Sequence, residues 1–551
     1  MGRKKTIVFL HPDLGIGGAE RLVVDAAVSL QEREHKVVVF TSHRDPAHCF
    51  EEARDGTLDV RVRGNTVFPP SILGRFAIFC AIARQIHLIL SIWMTGELRG
   101  LRPTDFFVDQ LSAGLPLLRR VINGFEVPAE GSEGKTLAPT PARPSIFFYC
   151  HFPDLLLTRG RESLVKRLYR IPFDTLEEWS MGFADGIAVN SEFTKGIVTR
   201  TWPRLAGREK KQLDVVYPCV DTNVGDGDDD DDDDDDDGTN KRGHVDEEVS
   251  LWENKTVFLS INRFERKKDV GLAIKAFGKL LGAGKDAKAA TAAAIEKSRL
   301  RLVIAGGHDS RVAENVEYHH ELETLATSLG LSHATAKTLP TALRIPDEIQ
   351  VIFLPSVPNK VKDALLSSAA LLLYTPQNEH FGIVPLEAML KRVPVLATDS
   401  GGPRETISGE GEVGWRREAD EGEWAKVLQT VVESRSTEEG RTALREMGKR
   451  GKERVKKRFG RETMGERFDG VFEELGGDVR NEGMGAGLVL SILGLLGLGL
   501  ASLAALLRMK VMSSTSGISG CPTTSDQDAM AQILMGGGGG DDEKRGAYCR
   551  Y

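Results

Sequence analysis

The stretch TIVFLHPDLGIGGAERLVVDAAVSLQEREHKVVVFT, residues 6–41, decides the fold. Residues 6–10 and 37–41 are short apolar runs rich in β-branched and aromatic side chains, which suit strands. Between them, the apolar residues of AERLVVDAAVSLQERE recur at helical spacing. Strand, glycine-rich turn, helix and strand form the unit of a parallel doubly wound sheet. The turn carries Gly15, Gly17 and Gly18 and opens the helix. Glycines let a backbone approach a ligand, and a helix start attracts an anion. The spacing is not the dinucleotide fingerprint, because Gly17 and Gly18 are adjacent, and a tight turn without a ligand explains them equally well.

Further strands are expected at 146–150, 186–190 and 213–217, alternating with helical stretches. The pattern then restarts at 256–262, 301–307, 351–355, 371–376 and 393–399. The chain therefore reads as α/β, with two Rossmann-like doubly wound domains, 1–220 and 251–480. Between them, 221–250 reads as an acidic linker or loop, because Asp228 to Asp237 form a self-repelling block. Residues 126–143, 282–298 and 332–344 read as surface loops or helix extensions, and 511–551 as a disordered tail.

The net charge of −8 belongs to that block: without its ten aspartates the chain sums to +2. No basic stripe suggests a nucleic-acid partner. The six cysteines show no CxxC pairing, which favours a reducing compartment and argues against structural zinc. The N-terminus lacks the apolar core of a signal peptide. Ala486 to Leu507 is a run of 22 uncharged residues, enough for a bilayer-spanning helix, so 484–510 is expected to be a transmembrane anchor. Residues 71–94 are also very apolar but carry Arg75, Arg84 and His87. A buried helix or a membrane-surface helix fits them better than a span, and the C-terminal anchor favours membrane contact.

The segment Glu379-His-Phe-Gly-Ile-Val-Pro-Leu-Glu387 separates two carboxylates by seven residues. Its Pro suits a first helical turn, so a helix is expected to start near Gly382 and to carry Glu387. The N–H groups at that start suit a phosphate, and a carboxylate on each side suits sugar hydroxyls. An ordinary first-turn Glu is the plainer account of Glu387. Arg263 and Lys268 follow strand 256–262, where a guanidinium and an ammonium could clamp a diphosphate, or simply form a solvated loop. His151 follows strand 146–150 and is either structural or part of a site. Gly306-Gly307 and Gly401-Gly402 also follow strands and could line the crevice.

Taken together, HPDLGIGGAERLVVDAA, FYCHFPD, FADGIAVNSEFT, SINRFERKKDVGLAIKAF, AGGHDSRVAENVEYHHEL and NEHFGIVPLEAMLKRVPVLATDSGGPRETI resemble the retaining glycosyltransferases of the GT-B fold. Within that fold they look like the mannosyltransferases of the dolichol pathway, over most of 5–220 and 251–475. The resemblance implies transfer of the second (α-1,3) and third (α-1,6) mannose from GDP-mannose to Man1GlcNAc2-diphosphate-dolichol. It implies no metal and no other cofactor. Implied partners are the dolichyl-diphosphate-linked acceptor, the ER membrane and other early dolichol-pathway glycosyltransferases, with the catalytic domains on the cytosolic face. It implies that Gly17, Gly18, Arg263 and Lys268 face the donor diphosphate with Gly382 and Ile383. Glu379 would lie near the transferred sugar, Glu387 on the ribose, and His151 beside the reacting sugar. The alternatives are another retaining GT-B enzyme, using UDP-GlcNAc or making a different mannose linkage, and a catalytically dead GT-B membrane scaffold.

Overall fold

A computed structural model describes residues 4–69, 71, 77–123, 143–153, 176–206, 213–222, 251–252, 255–282, 299–407, 409 and 411–475. The acidic tract, the expected anchor at 484–510, the tail and most of 126–143 and 282–298 lie outside the described residues.

Two seven-stranded parallel sheets organise the chain. The first contains β1 (Thr6–His11), β2 (Lys36–Thr41), β3 (Asp59–Val62), β4 (Asp105–Asp109), β5 (Ser145–Cys150), β6 (Gly186–Val189) and β7 (Leu213–Val215), in the order β3-β2-β1-β4-β5-β6-β7. The second contains β8 (Thr256–Ile261), β9 (Leu300–Gly306), β10 (His333–Thr335), β11 (Val351–Pro355), β12 (Leu371–Tyr374), β13 (Val395–Thr398) and β14 (Gly414–Arg417). Its order is β10-β11-β9-β8-β12-β13-β14. Strand order reverses between β1 and β4 in the first sheet and between β8 and β12 in the second. Such a reversal opens a crevice at the carboxyl ends of the strands.

Both sheets are buried on both faces, which explains their nearly continuous apolar strands. The helix Ala77–Met94 is long and apolar enough to cross a membrane. One of its faces, with Leu88, Ile89 and Ile92, belongs to the core under the first sheet, while Trp93 and Met94 are exposed.

Two expectations need correction. Residues 332–344 are not loop or helix extension alone: they supply edge strand β10 and a short helix, Leu339–Leu343. The last helix, Arg461–Leu475, does not pack with the second sheet, as a 251–480 unit would require. Its Met464, Phe468, Val471 and Phe472 lie in the core of the first sheet. Phe468 and Phe472 meet Phe147 edge-on, at 5.9 and 5.5 Å between centroids. Lys5 Nζ donates to Phe472 O at 2.6 Å, and Asp469 pairs with Arg33 and His35. Burying each of those rings contributes about 1.5–3 kcal/mol, so the chain's return to the first domain is firmly held. The crossing point is marked by Val220 N–H donating to Phe459 O at 2.9 Å and by an isolated bridge between Val220 and Gly460.

Candidate active site

The carboxyl edge of the first sheet carries a buried polar cluster. β1 ends on His11, β4 on Asp109, and His151 immediately follows β5. The Asp109 carboxylate bridges the two rings, with His11 Nδ1 at 2.8 Å from Oδ1 and His151 Nε2 at 3.0 Å from Oδ2. His11 Nε2 lies 2.9 Å from Asp13 O. Burial works against the charged form of His11, but the Asp109 carboxylate outweighs it and holds the imidazole above its usual range. Burial likewise pushes Asp109 up, yet the two imidazoles bring it below the usual carboxylate range. Beyond this cluster the chain turns through Gly17, extended at φ −166° and ψ 177°, into helix Gly18–Glu32. Gly17 has no side chain to cap that helix start, the Glu20 carboxylate folds back against Gly17, and a Cβ placed on Gly18 would meet nothing within 4 Å.

The carboxyl edge of the second sheet supplies the other half. Lys268 ends a 3-10 turn, Arg266–Lys268, after β8, and its ammonium pairs with the Glu379 carboxylate after β12. Lys268 is 17 % and Glu379 22 % exposed, so the pair sits in a cleft wall. Burial raises Glu379, but Lys268 more than offsets it, so the carboxyl stays ionised below its ordinary range. Thr375 Oγ1 donates to Lys268 O at 2.6 Å and ties the turn to β12. Gly401 and Gly402 hold the Glu379 loop from behind. A Cβ on Gly401, at φ +65°, would lie 2.4 Å from Glu379 O, and Gly402 N–H donates to that same oxygen at 2.8 Å. Gly306 and Gly307 pack instead on Asn262 and Arg263.

The expected helix is present as Ile383–Leu390, starting after Gly382 at φ 91°. Glu387 lies within it and accepts from Lys362 Nζ at 2.6 Å through Oε1. Its Oε2 is buried and has no hydrogen-bond partner among the described residues, although a buried acceptor normally has one. Arg263 is 57 % exposed and its guanidinium lies 3.8 Å from Glu265, so it is open to a ligand. Lys267 faces solvent and pairs with Glu265 at 3.0 Å, as its adjacency to Lys268 implies.

The two edges face one another. The rings of Phe152 and His380 stack, 3.8 Å apart and 6° from parallel. Ser191 Oγ donates to His380 O at 2.5 Å. The Glu405 carboxylate accepts from the N–H groups of Glu192 and Phe193, at 2.8 and 2.9 Å, at the start of helix Glu192–Thr201. The His151 edge of the first sheet therefore faces the Lys268–Glu379 edge of the second, with Asp109 buried behind His151.

Residues 244–454 match the family model "Glycosyl transferases group 1". The chain is 56 % identical over 486 residues to the alpha-1,3/1,6-mannosyltransferase alg-2 of Neurospora crassa, covering 87 % of this chain and 93 % of that one. This chain belongs to the alpha-1,3/1,6-mannosyltransferase family. Family members from Kluyveromyces lactis and Schizosaccharomyces pombe are each 42 % identical, covering 86 % and 85 % of this chain and 85 % and 81 % of theirs. Solved structures similar to this alpha-1,3/1,6-mannosyltransferase family member agree in fold. Sucrose-phosphate synthase from Thermosynechococcus elongatus has a TM-score of 0.55 at 16 % identity, covering 86 % of this chain and 99 % of its own. Anabaena HepE, solved with UDP and glucose, has a TM-score of 0.52 at 17 % identity, covering 85 % and 100 %.

Against that family frame, the structure gathers His151, Lys268, Glu379, Gly382, Ile383 and Glu387 on facing edges, with Gly17 and Gly18 on the His11 edge. Sequence reasoning missed His11, Asp109 and Lys362. Asp109 was legible in principle: DFFVD is a short apolar run bounded by aspartates. Lys362 reaches Glu387 from helix Asn359–Ser367 and left no local signal.

Proposed function

We propose that this chain transfers mannose from GDP-mannose, with retention, to Man1GlcNAc2-diphosphate-dolichol, adding the α-1,3 and then the α-1,6 residue. What carries this reading is the match, along nearly the whole chain, to relatives named alpha-1,3/1,6-mannosyltransferases. The residues suit the task. Breaking a glycosyl–phosphate bond builds negative charge on the leaving diphosphate. Lys268, Arg263 and the N–H groups at Gly382 and Ile383 would stabilise that charge, with Gly17 and the open backbone at Gly18 facing it from the other domain. Glu379 would orient the mannose while Lys268 keeps it ionised. Glu387 would present its unpartnered Oε2 to the ribose hydroxyls. His151 would stand beside the reacting sugar. No metal is assigned, because cationic side chains and helix N–H groups supply the charge that a metal otherwise provides.

The same reading places the enzyme on the cytosolic face of the ER membrane, held by Ala486 to Leu507 and by the apolar helix Ala77–Met94. Removing everything after Asn481 should release the protein from membranes only in part, measured by flotation. Complete release would remove the helix from this account. Transfer itself is tested by incubating the purified enzyme with GDP-mannose and the lipid-linked acceptor, followed by linkage analysis.

A further inference from the structure

Both ring nitrogens of His11 face acceptors: the carboxylate Oδ1 of Asp109 at 2.8 Å and the carbonyl O of Asp13 at 2.9 Å. A carbonyl cannot donate, so Nε2 carries a proton. The proton between Nδ1 and Oδ1 belongs to the stronger base, and imidazole (about 6.5) exceeds a carboxyl (about 3.9). His11 is therefore an imidazolium enclosed in the fold. The other Asp109 oxygen accepts from His151 Nε2 at 3.0 Å, so His151 is fixed as the Nε2–H tautomer with Nδ1 turned away from Asp109. We propose that His11 is a positioning residue: it stays doubly protonated, neutralises Asp109, and through it sets the tautomer and orientation of His151 beside the reacting sugar. The inference rests on the mannosyl-transfer reading for its kinetic consequence, but not for the protonation state.

The charged groups around His11 support it. Asp109 on β4 and Glu20 on helix Gly18–Glu32 both favour its cation, and Asp13 contributes a carbonyl from the same loop. His151, from the edge of β5, shares Asp109. In an uncharged His11 variant, the buried Asp109 carboxylate would lose the cation that offsets its charge.

His11→Asn keeps an N–H near the position of Nδ1 without the charge. It should lower kcat about 10–100-fold, the usual cost of removing an orienting partner, with little change in donor KM. Asp109→Asn combined with His11→Asn should cost little more than either change alone, because the groups act as a unit. Losses in His11→Asn that only track melting temperature, or that add in full to those of Asp109→Asn, would overturn the inference. The second readout needs no activity: ¹⁵N spectra of the full-length enzyme labelled at histidine, with His11 assigned from its loss in His11→Asn. Two protonated ring nitrogens on His11 are expected at a pH above the ordinary imidazole value of about 6.5, and a neutral ring there overturns the proposal. If wild type transfers no mannose while His11 is doubly protonated, the proposed function fails and the protonation state stands.

Discussion

Phe152, from the first domain, lies flat on His380 of the second, 3.8 Å between ring centroids. The stack joins the His151 edge to the Glu379 edge, since each ring directly follows one of those residues in sequence. It also buries the imidazole, and burial pushes His380 down to about 4. His380 is thus neutral in the folded protein but protonates in the unfolded chain below about pH 6.5. Stability should therefore fall as pH drops from about 6.5 towards 4, by at most about 3 kcal/mol from this group. His380→Phe keeps the stack and removes the proton. Its melting temperature should depend less on pH in that window, and an identical slope would show that His380 does not titrate there.

Lys268→Ala and Glu379→Ala should each abolish both mannose additions, because both linkages use one donor and one leaving group. Lys268 would act on charge present mainly in the transition state, so its loss should lower turnover more than donor binding, by about 10²–10³ in rate. Glu387→Ala should mainly raise donor KM, and Lys362→Ala should do the same more weakly, because it leaves Glu387 without its cation. Kinetics with a separate acceptor for each step checks all four.

Gly18 and Gly401 should respond oppositely to alanine. A Cβ on Gly18 meets nothing, so Gly18→Ala should melt like wild type yet bind donor poorly if the diphosphate fills that space. Gly401→Ala combines φ +65° with a 2.4 Å clash on Glu379 O. It should displace Glu379, lowering turnover towards the level of Glu379→Ala while also lowering melting temperature. Calorimetry and donor titration of both variants separate the two behaviours.

Much of this was legible because the informative residues lie close together along the chain. Glu379, Gly382 and Glu387 share one loop and one helix, so spacing and a proline sufficed. Lys268 could be placed because it follows an evident strand. The run 105–109 marks Asp109 as a strand end, but its importance depends on β1 and β5 lying on either side of it, which its own residues do not show. The helix Arg461–Leu475 looks like any amphipathic helix from its own residues. Which sheet it covers is decided by Phe107, Phe147 and Asp469's partners Arg33 and His35, all far away in sequence.

Glu405 caps helix Glu192–Thr201 from the opposite domain. Glu405→Ala should leave both domains folded but loosen their contact, at a cost of about 1 kcal/mol as for a lost helix cap. Small-angle scattering should show a larger radius of gyration, with a raised donor KM. Unchanged scattering would mean that the Phe152–His380 stack and Ser191 hold the cleft without it.

The most direct test is transfer by the purified full-length enzyme from GDP-mannose to Man1GlcNAc2-diphosphate-lipid, in EDTA, with linkage analysis of the product. The expected product carries one α-1,3 and one α-1,6 mannose, with both additions lost in Lys268→Ala and both retained when Asp228 to Asp237 are deleted. Transfer that requires added Mg²⁺ or Mn²⁺, that uses a UDP-sugar instead, or that loses only one linkage in Lys268→Ala would contradict a single metal-free mannosyl site built on Lys268 and Glu379.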